Sequence, residues 1–225
     1  MATQKHTPAG RGFHRSLIYF HHCNDYWSST VSNKTDGFCS FDSDVVDLWR
    51  HDNSSVGGSG GPAIPRPGGA DADIYEEEIF VAEATSVIRE HAAAAATSAA
   101  PLFLYYASHA PHTPMQVPQR YLDRMLGVTE LSLTGQGYAA MVAVADDALG
   151  NITATLKEVG MWSETLLVFM SDNGGPIYDQ NFQPSGSCPS KNRPVCLKAG
   201  DTLASENPLS RARDGVLARF GSPQL

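Results

Sequence analysis

Leu166-Leu167-Val168-Phe169-Met170 runs without interruption into Ser171-Asp172-Asn173-Gly174-Gly175. Five apolar residues bounded by glycine read as a short core strand of the kind found in parallel sheets. In open α/β sheets the chemistry lies just beyond the carboxyl ends of such strands. Asp172 and Asn173 then stand at a sheet edge as oxygen donors suited to a hard cation. Gly174 and Gly175 allow a sharp turn and a close approach of backbone to ligand. The same letters also spell an ordinary Asp-Asn-Gly turn, and the stretch alone leaves both readings open.

Working outward, residues 136–160 form a long helix. Met141, Ala145, Leu149, Ile152, Leu156 and Val159 step by three and four along one stripe, and Gly160 is placed as the cap. Before it, "PLFLYYA" (101–107) is a second short apolar strand that passes into "SHAPHTPMQVPQRY", a proline-rich, extended loop. Strand, helix, strand is a right-handed unit with parallel strands. Both strands then end on one side of the sheet, and His109, His112, Asp172 and Asn173 are expected to converge there.

Residues 74–91 give another helix, with Ile79/Phe80, Ala84, Val87/Ile88 and His91 at helical steps. Glu76, Glu77 and Glu78 fall near its start, where the helix dipole favours them, and read as a solvated helix end. The alanine-rich run 92–100 continues it raggedly. Residues 53–72 are rich in glycine, proline and serine and read as a loop; a short strand is placed near Val45-Val46-Asp47-Leu48. His14, His21 and His22 crowd together, but neighbouring positions of a strand face opposite ways, so they are read as exposed loop histidines or hydrogen-bonded structural ones and not as a metal centre. Asp25-Tyr26-Trp27 is an aromatic cluster that packs a loop or lines a pocket. Beyond Gly175 the sequence is loop-like, and only residues 215–220 are apolar enough to rejoin a core.

The 225 residues make one domain or most of one. A net charge of -8 without a basic run excludes nucleic acid and anionic membranes as partners. No segment reaches the length of a membrane-spanning helix, and residues 1–10 hold no apolar leader core. Four cysteines fall into two local pairs, Cys23 with Cys39 and Cys188 with Cys196. Sequons occur at Asn33, Asn53 and Asn151. Together these favour an oxidising secretory compartment, lysosomal or extracellular.

"PLFLYYASHAPHTPMQVPQRY", "GYAAMVAVADDALGNITATLKEVGMW" and "LLVFMSDNGG" together resemble the sulfatases, on the arylsulfatase B-like branch, and "GRGFHRSLIYFHHCNDYW" extends the similarity toward the N-terminus. The specific signal is His-x-Pro-x-Gln-x-Pro after one strand and Asp-Asn-Gly-Gly after the next, with the long helix between. The resemblance implies an alkaline-phosphatase-like α/β fold, a mostly parallel sheet flanked by helices, of which residues 1–225 are part of the catalytic domain and 176–225 a divergent tail. It implies hydrolysis of sulfate esters of a small molecule or glycan, by a formylglycine made from cysteine and with a bound Ca2+. Asp172 and Asn173 resemble two of the calcium ligands. His112 resembles the histidine that binds the sulfate and helps the alcohol leave. Arg213, in "NPLSRARDG", falls where the family places a sulfate-binding lysine.

The family's Cys-x-Pro-x-Arg segment, its N-terminal Asp-Asp pair and its Gly-Lys-Trp-x-x-Gly segment do not occur in this sequence. All three are expected upstream of Met1. Asp146-Asp147 lies inside the long helix and reads as a solvated position. The chain alone is therefore expected to lack activity. Two other readings are a non-catalytic descendant that binds sulfated glycans or a cation, and a truncated chain with no stable fold of its own, because half a parallel sheet leaves open edges and apolar faces.

Overall fold

The computed structural model describes residues 4–21, 24–31, 45–52, 59–63, 74–95, 100–112, 114–125, 128 and 133–172. Its centre is a pair of packed helices, α1 (Glu76–Ala94) and α3 (Leu133–Glu158), with the short α2 (Gln119–Met125) against α3. The buried line of α3 runs through Ala140, Met141, Val144, Ala148, Ile152 and Leu156. It is turned slightly from the expected stripe, and Ala145 and Leu149 lie at its margin, half-buried. Ala84 and Ile88 of α1 meet Ile152 and Leu156 in one cluster, joined by Leu102, Leu104 and Tyr106.

The end of α3 is closed as its sequence requires. Gly160 has φ of 76° and donates its N–H to the Lys157 carbonyl (3.1 Å), while Met161 N–H reaches back to Leu156 O (2.9 Å). This is the paired bonding of a Schellman cap, and Leu156 and Met161 pack together beneath it. A Cβ at Gly160 meets nothing within 4 Å, so the cost of one there is backbone strain alone. Gly160→Ala is expected to destabilise the chain by about 1–2 kcal/mol in urea titration. An unchanged midpoint would show the left-handed cap to be dispensable.

Residues 101–107 show exposed and half-buried positions in strict alternation, the period of a strand. The strands expected at 101–107 and 166–170 are nonetheless not formed as ladders: among the described residues neither segment pairs with a neighbour. A parallel ladder needs a partner strand about 4.8 Å away, and the described part of the chain supplies none. The ladders it does form are antiparallel. β1 (Arg15–Tyr19) pairs with β4 (Leu48–Asp52), which pairs with β5 (Ser59–Pro62), and β2 (Thr30–Val31) pairs with β3 (Val45–Val46).

β5 lies inside the stretch read as a Gly/Pro-rich loop. Its glycine is needed for proximity, because a Cβ at Gly60 would sit 3.0 Å from Trp49 Nε1 and 3.1 Å from His51 Nδ1. The small sheet is riveted to α1 by charge: Glu83 takes Arg15 (2.6 Å) and Arg50 (2.8 Å), and Glu90 takes Arg15 (2.7 Å). α2 was also hidden by its context. Its first residue follows Pro118, which cannot donate a backbone hydrogen bond but starts a helix well.

Candidate active site

The loop that follows residues 101–107 is held by buried polar groups rather than by its own prolines alone. Asp25 Oδ1 accepts Trp27 N–H (3.0 Å), Ser28 N–H (2.7 Å) and the Ser28 hydroxyl (2.9 Å), and its Oδ2 accepts Gln116 Nε2 (2.8 Å). Gln116 returns a bond through Oε1, which accepts Tyr26 N–H (2.8 Å). The Tyr75 hydroxyl donates to the Gln116 carbonyl (3.0 Å), and the Tyr26 hydroxyl donates to the His112 carbonyl (3.1 Å). Asp25 and Tyr26 thus pack a loop, one of the two roles expected of that cluster, and the loop is the one that carries His112. His112 itself is exposed and ends a tight turn, its N–H donating to the His109 carbonyl (2.7 Å).

The start of α1 corrects one expectation. Glu76 and Glu77 are not a solvated helix end; they are only 1% and 3% exposed. They sit on the buried face of α1 and are retained there by partners. Glu76 Oε1 meets His109 Nδ1 (3.0 Å) and its Oε2 accepts the Tyr19 hydroxyl (2.9 Å). Glu77 accepts the hydroxyls of Tyr106 (2.6 Å) and Ser108 (3.0 Å). Glu78 alone is exposed, paired with Arg120.

The His109 ring is stacked on Tyr19 (5.1 Å between centroids) and flanked by Tyr26 (5.6 Å) and Phe80 (6.1 Å). Burial raises the Glu76 carboxyl above the ordinary glutamate range, against the opposing pull of His109 and Tyr19. Burial also raises Glu77. Burial alone would lower the His109 imidazole, but the hydrogen bond and charge of Glu76 leave it above the ordinary histidine value.

All three groups bind protons more readily folded than unfolded, so their contribution to stability is full at acid pH. It fades as pH rises, from 4.5 upward for the two glutamates and from 6.5 upward for His109. The melting temperature is accordingly expected to fall from mildly acidic to mildly alkaline buffer, and less steeply in Glu76→Gln. A profile that rises across the same window would contradict this assignment of the protons.

Asp172 is exposed, two residues past the second extended segment. Asn173 and Arg213 lie outside the described residues, as do Cys23, Cys39, Cys188, Cys196, Asn33 and Asn53. His21 N–H donates to Asp47 Oδ2 (2.8 Å), and His22 lies outside the described residues. Asn151 is exposed on α3, where its Nδ2 donates to the Asp147 carbonyl (2.8 Å). Asp147 is paired with Arg124 of α2 (2.8 Å).

Among the described residues, no three His, Cys, Asp or Glu side chains lie together as a cation site. One exposed carboxylate falls well short of the six to eight oxygens that calcium takes, so the described residues do not by themselves fit that ion. No helix among them is long and apolar enough to cross a membrane.

An apolar segment packed on helices, with a histidine loop beyond its end, fits the alkaline-phosphatase-like α/β class that the comparisons show. The crystal structure of Ps i-CgsB in complex with k-i-k-neocarrahexaose superposes with a TM-score of 0.52 at 20% identity, over 71% of this chain and 32% of that one. A family model described as Sulfatase matches residues 8–204. The chain belongs to the sulfatase family.

It is 27% identical over 168 residues to arylsulfatase J of Mus musculus, covering 75% of this chain and 24% of that protein. It is 32% identical over 101 residues to N-acetylgalactosamine-6-sulfatase of Rattus norvegicus, covering 44% of this chain and 17% of that protein. With arylsulfatase A of Homo sapiens the identity is 33% over 75 residues, covering 33% of this chain and 13% of that protein. The chain thus spans about a quarter or less of the length of these relatives.

Proposed function

We propose that this chain forms part of the catalytic domain of a sulfuric ester hydrolase acting on a sulfated small molecule or glycan in the secretory pathway, lysosomal or extracellular. The observation that carries the reading is the family match over residues 8–204 together with His112 at the tip of a loop tied down by Tyr26, Tyr75 and Gln116. His112 is assigned to contact the sulfate and to give a proton to the departing alcohol oxygen, a contribution of typically 10²–10⁴-fold where such a group is well placed. Asp172 and Asn173 are assigned as two ligands of a Ca2+ that would orient the sulfate, and Arg213 as a further contact to its oxygens. The formylglycine nucleophile and the other calcium ligands are taken to come from segments absent from these 225 residues.

The isolated chain is expected to bind calcium no more tightly than about millimolar and to turn over no aryl sulfate. It should nonetheless retain the His112 half of the sulfate contact. In NMR titration, 4-nitrophenyl sulfate is expected to shift the His112 ring resonances, and the broadening of the ester's own lines by the chain is expected to be lost in His112→Ala. If the ester leaves His112 unmoved, the assignment of that residue is wrong. Turnover of the ester by the pure chain would show that the reaction does not need the missing segments.

A further inference from the structure

Two buried glutamates at the first turn of α1 have no role in the chemistry above, yet they hold the base of the loop that does. Glu76 takes the His109 ring nitrogen, and Glu77 takes the hydroxyl of Ser108, whose Oγ also accepts Ala110 N–H (3.1 Å). His109 is then the first residue of the turn: its carbonyl accepts the His112 N–H at 2.7 Å. The imidazole has little freedom. Tyr19 and Tyr26 cover its faces, Phe80 meets it from the side, and the Nδ1 edge faces the buried carboxylate. A third of the side chain remains exposed. Solvent thus reaches part of the ring while the contact to Glu76 is in place.

We infer that the Glu76–His109 pair is a proton-dependent positioning device for His112, setting the turn between them through the His109 carbonyl. When His109 is protonated, its bond to Glu76 joins two charges and is roughly twice as strong as a neutral one. When it is neutral, the Nδ1–H contact persists but weakens, and the turn is held less firmly. The groups around the pair act in both directions. Glu77, next on α1, favours the charged imidazole. Burial and Asp25, from the segment after β1, oppose the charged Glu76 carboxylate, which the Tyr19 hydroxyl of β1 stabilises by donating to it. Tyr106 donates to Glu77, and Tyr26 and Tyr75 donate to the loop carbonyls of His112 and Gln116. His109 is a positioning residue here, acting through His112. The coupling matters to catalysis only if His112 meets the sulfate as proposed, but it is read without any substrate.

The test is an NMR pH titration of the full chain between about pH 5 and 8, in a His112→Asn background so that the ring of residue 112 does not itself titrate. The His109 ring is expected to titrate above an ordinary histidine, and the backbone amide of position 112 is expected to follow the same midpoint. Adding Glu76→Gln should lower the His109 midpoint, because it removes the hydrogen bond and charge that raise it. Adding His109→Gln should leave the position-112 amide flat across the window, which a merely structural histidine would not require. An amide that is already flat while His109 titrates would overturn the coupling, as would a His109 midpoint unmoved by Glu76→Gln. The first of these is read without changing either member of the pair, so it stands even if the Glu76 variant does not fold.

Discussion

Asp25→Ala is expected to destabilise the chain by about 3–5 kcal/mol, because several buried donors lose their acceptor together. The carboxylate is 8% exposed and takes four hydrogen bonds, two of them from backbone amides. Alanine leaves the Trp27 and Ser28 amides and the Gln116 carboxamide without acceptors in a place water reaches poorly, and each such loss costs about 1–3 kcal/mol. A loss of that size is a large part of the stability of an ordinary domain. Asp25→Asn should cost less, because Oδ1 keeps its three donors and only the bond to Gln116 is disturbed. Urea unfolding of the two variants measures both effects. If Asp25→Ala stays within 1 kcal/mol of the parent, the buried network does not hold the loop.

The second large effect concerns association. Phe103, Tyr105, Leu166, Val168, Phe169 and Met170 are between 72% and 89% exposed, while Leu102, Leu104 and Tyr106 on the opposite side pack against the helices. Full burial of such a side chain contributes about 1.5–3 kcal/mol, so six of them represent on the order of 10 kcal/mol before the costs of association. In a solution of the pure chain the available partner is another copy. The chain is therefore expected to sediment as dimers or larger species at tens of micromolar, with the edges of the extended segments adding backbone pairing. Phe103→Thr with Val168→Thr and Phe169→Thr should return it toward monomer with little change in fold. A monodisperse monomer of the unaltered chain at about 100 μM would rule this out.

What was readable in the sequence was whatever depended on local pattern. The long helix and its glycine cap follow from spacing and from a left-handed residue that only glycine takes easily. The alternating burial of residues 101–107 follows from a short bounded apolar run, and the histidine loop from the prolines after it.

The antiparallel sheet was not readable in that way. β4 reads Leu-Trp-Arg-His-Asp and β5 Ser-Gly-Gly-Pro, neither alternating in polarity, and the fit of Gly60 against the Trp49 and His51 side chains is something no single segment reveals. Glu76 and Glu77 were misread for a different reason. Three acidic residues at a helix start look like dipole partners. The stripe through Ile88 and Ala84, stepped back by fours, reaches Phe80 and then Glu76, and that periodicity was the available sign of burial. The partners that make such burial tolerable, Tyr19, Tyr106, Ser108 and His109, come from other elements and carry no local signature.

The bonds that fix the His112 loop also set the order in which it can form. Gln116 is tied to Asp25 and Tyr26 across 91 and 90 residues of chain. The cap of α3 closes within a few residues, and helices of this kind form on the microsecond scale. A contact spanning most of the described chain must wait for a large loop to close, and topologies dominated by such contacts fold slowly. During refolding the helix pair should gain hydrogen-exchange protection first and the loop last. The residue assigned to the substrate is therefore brought into place only once the buried bonds to Gln116 have closed.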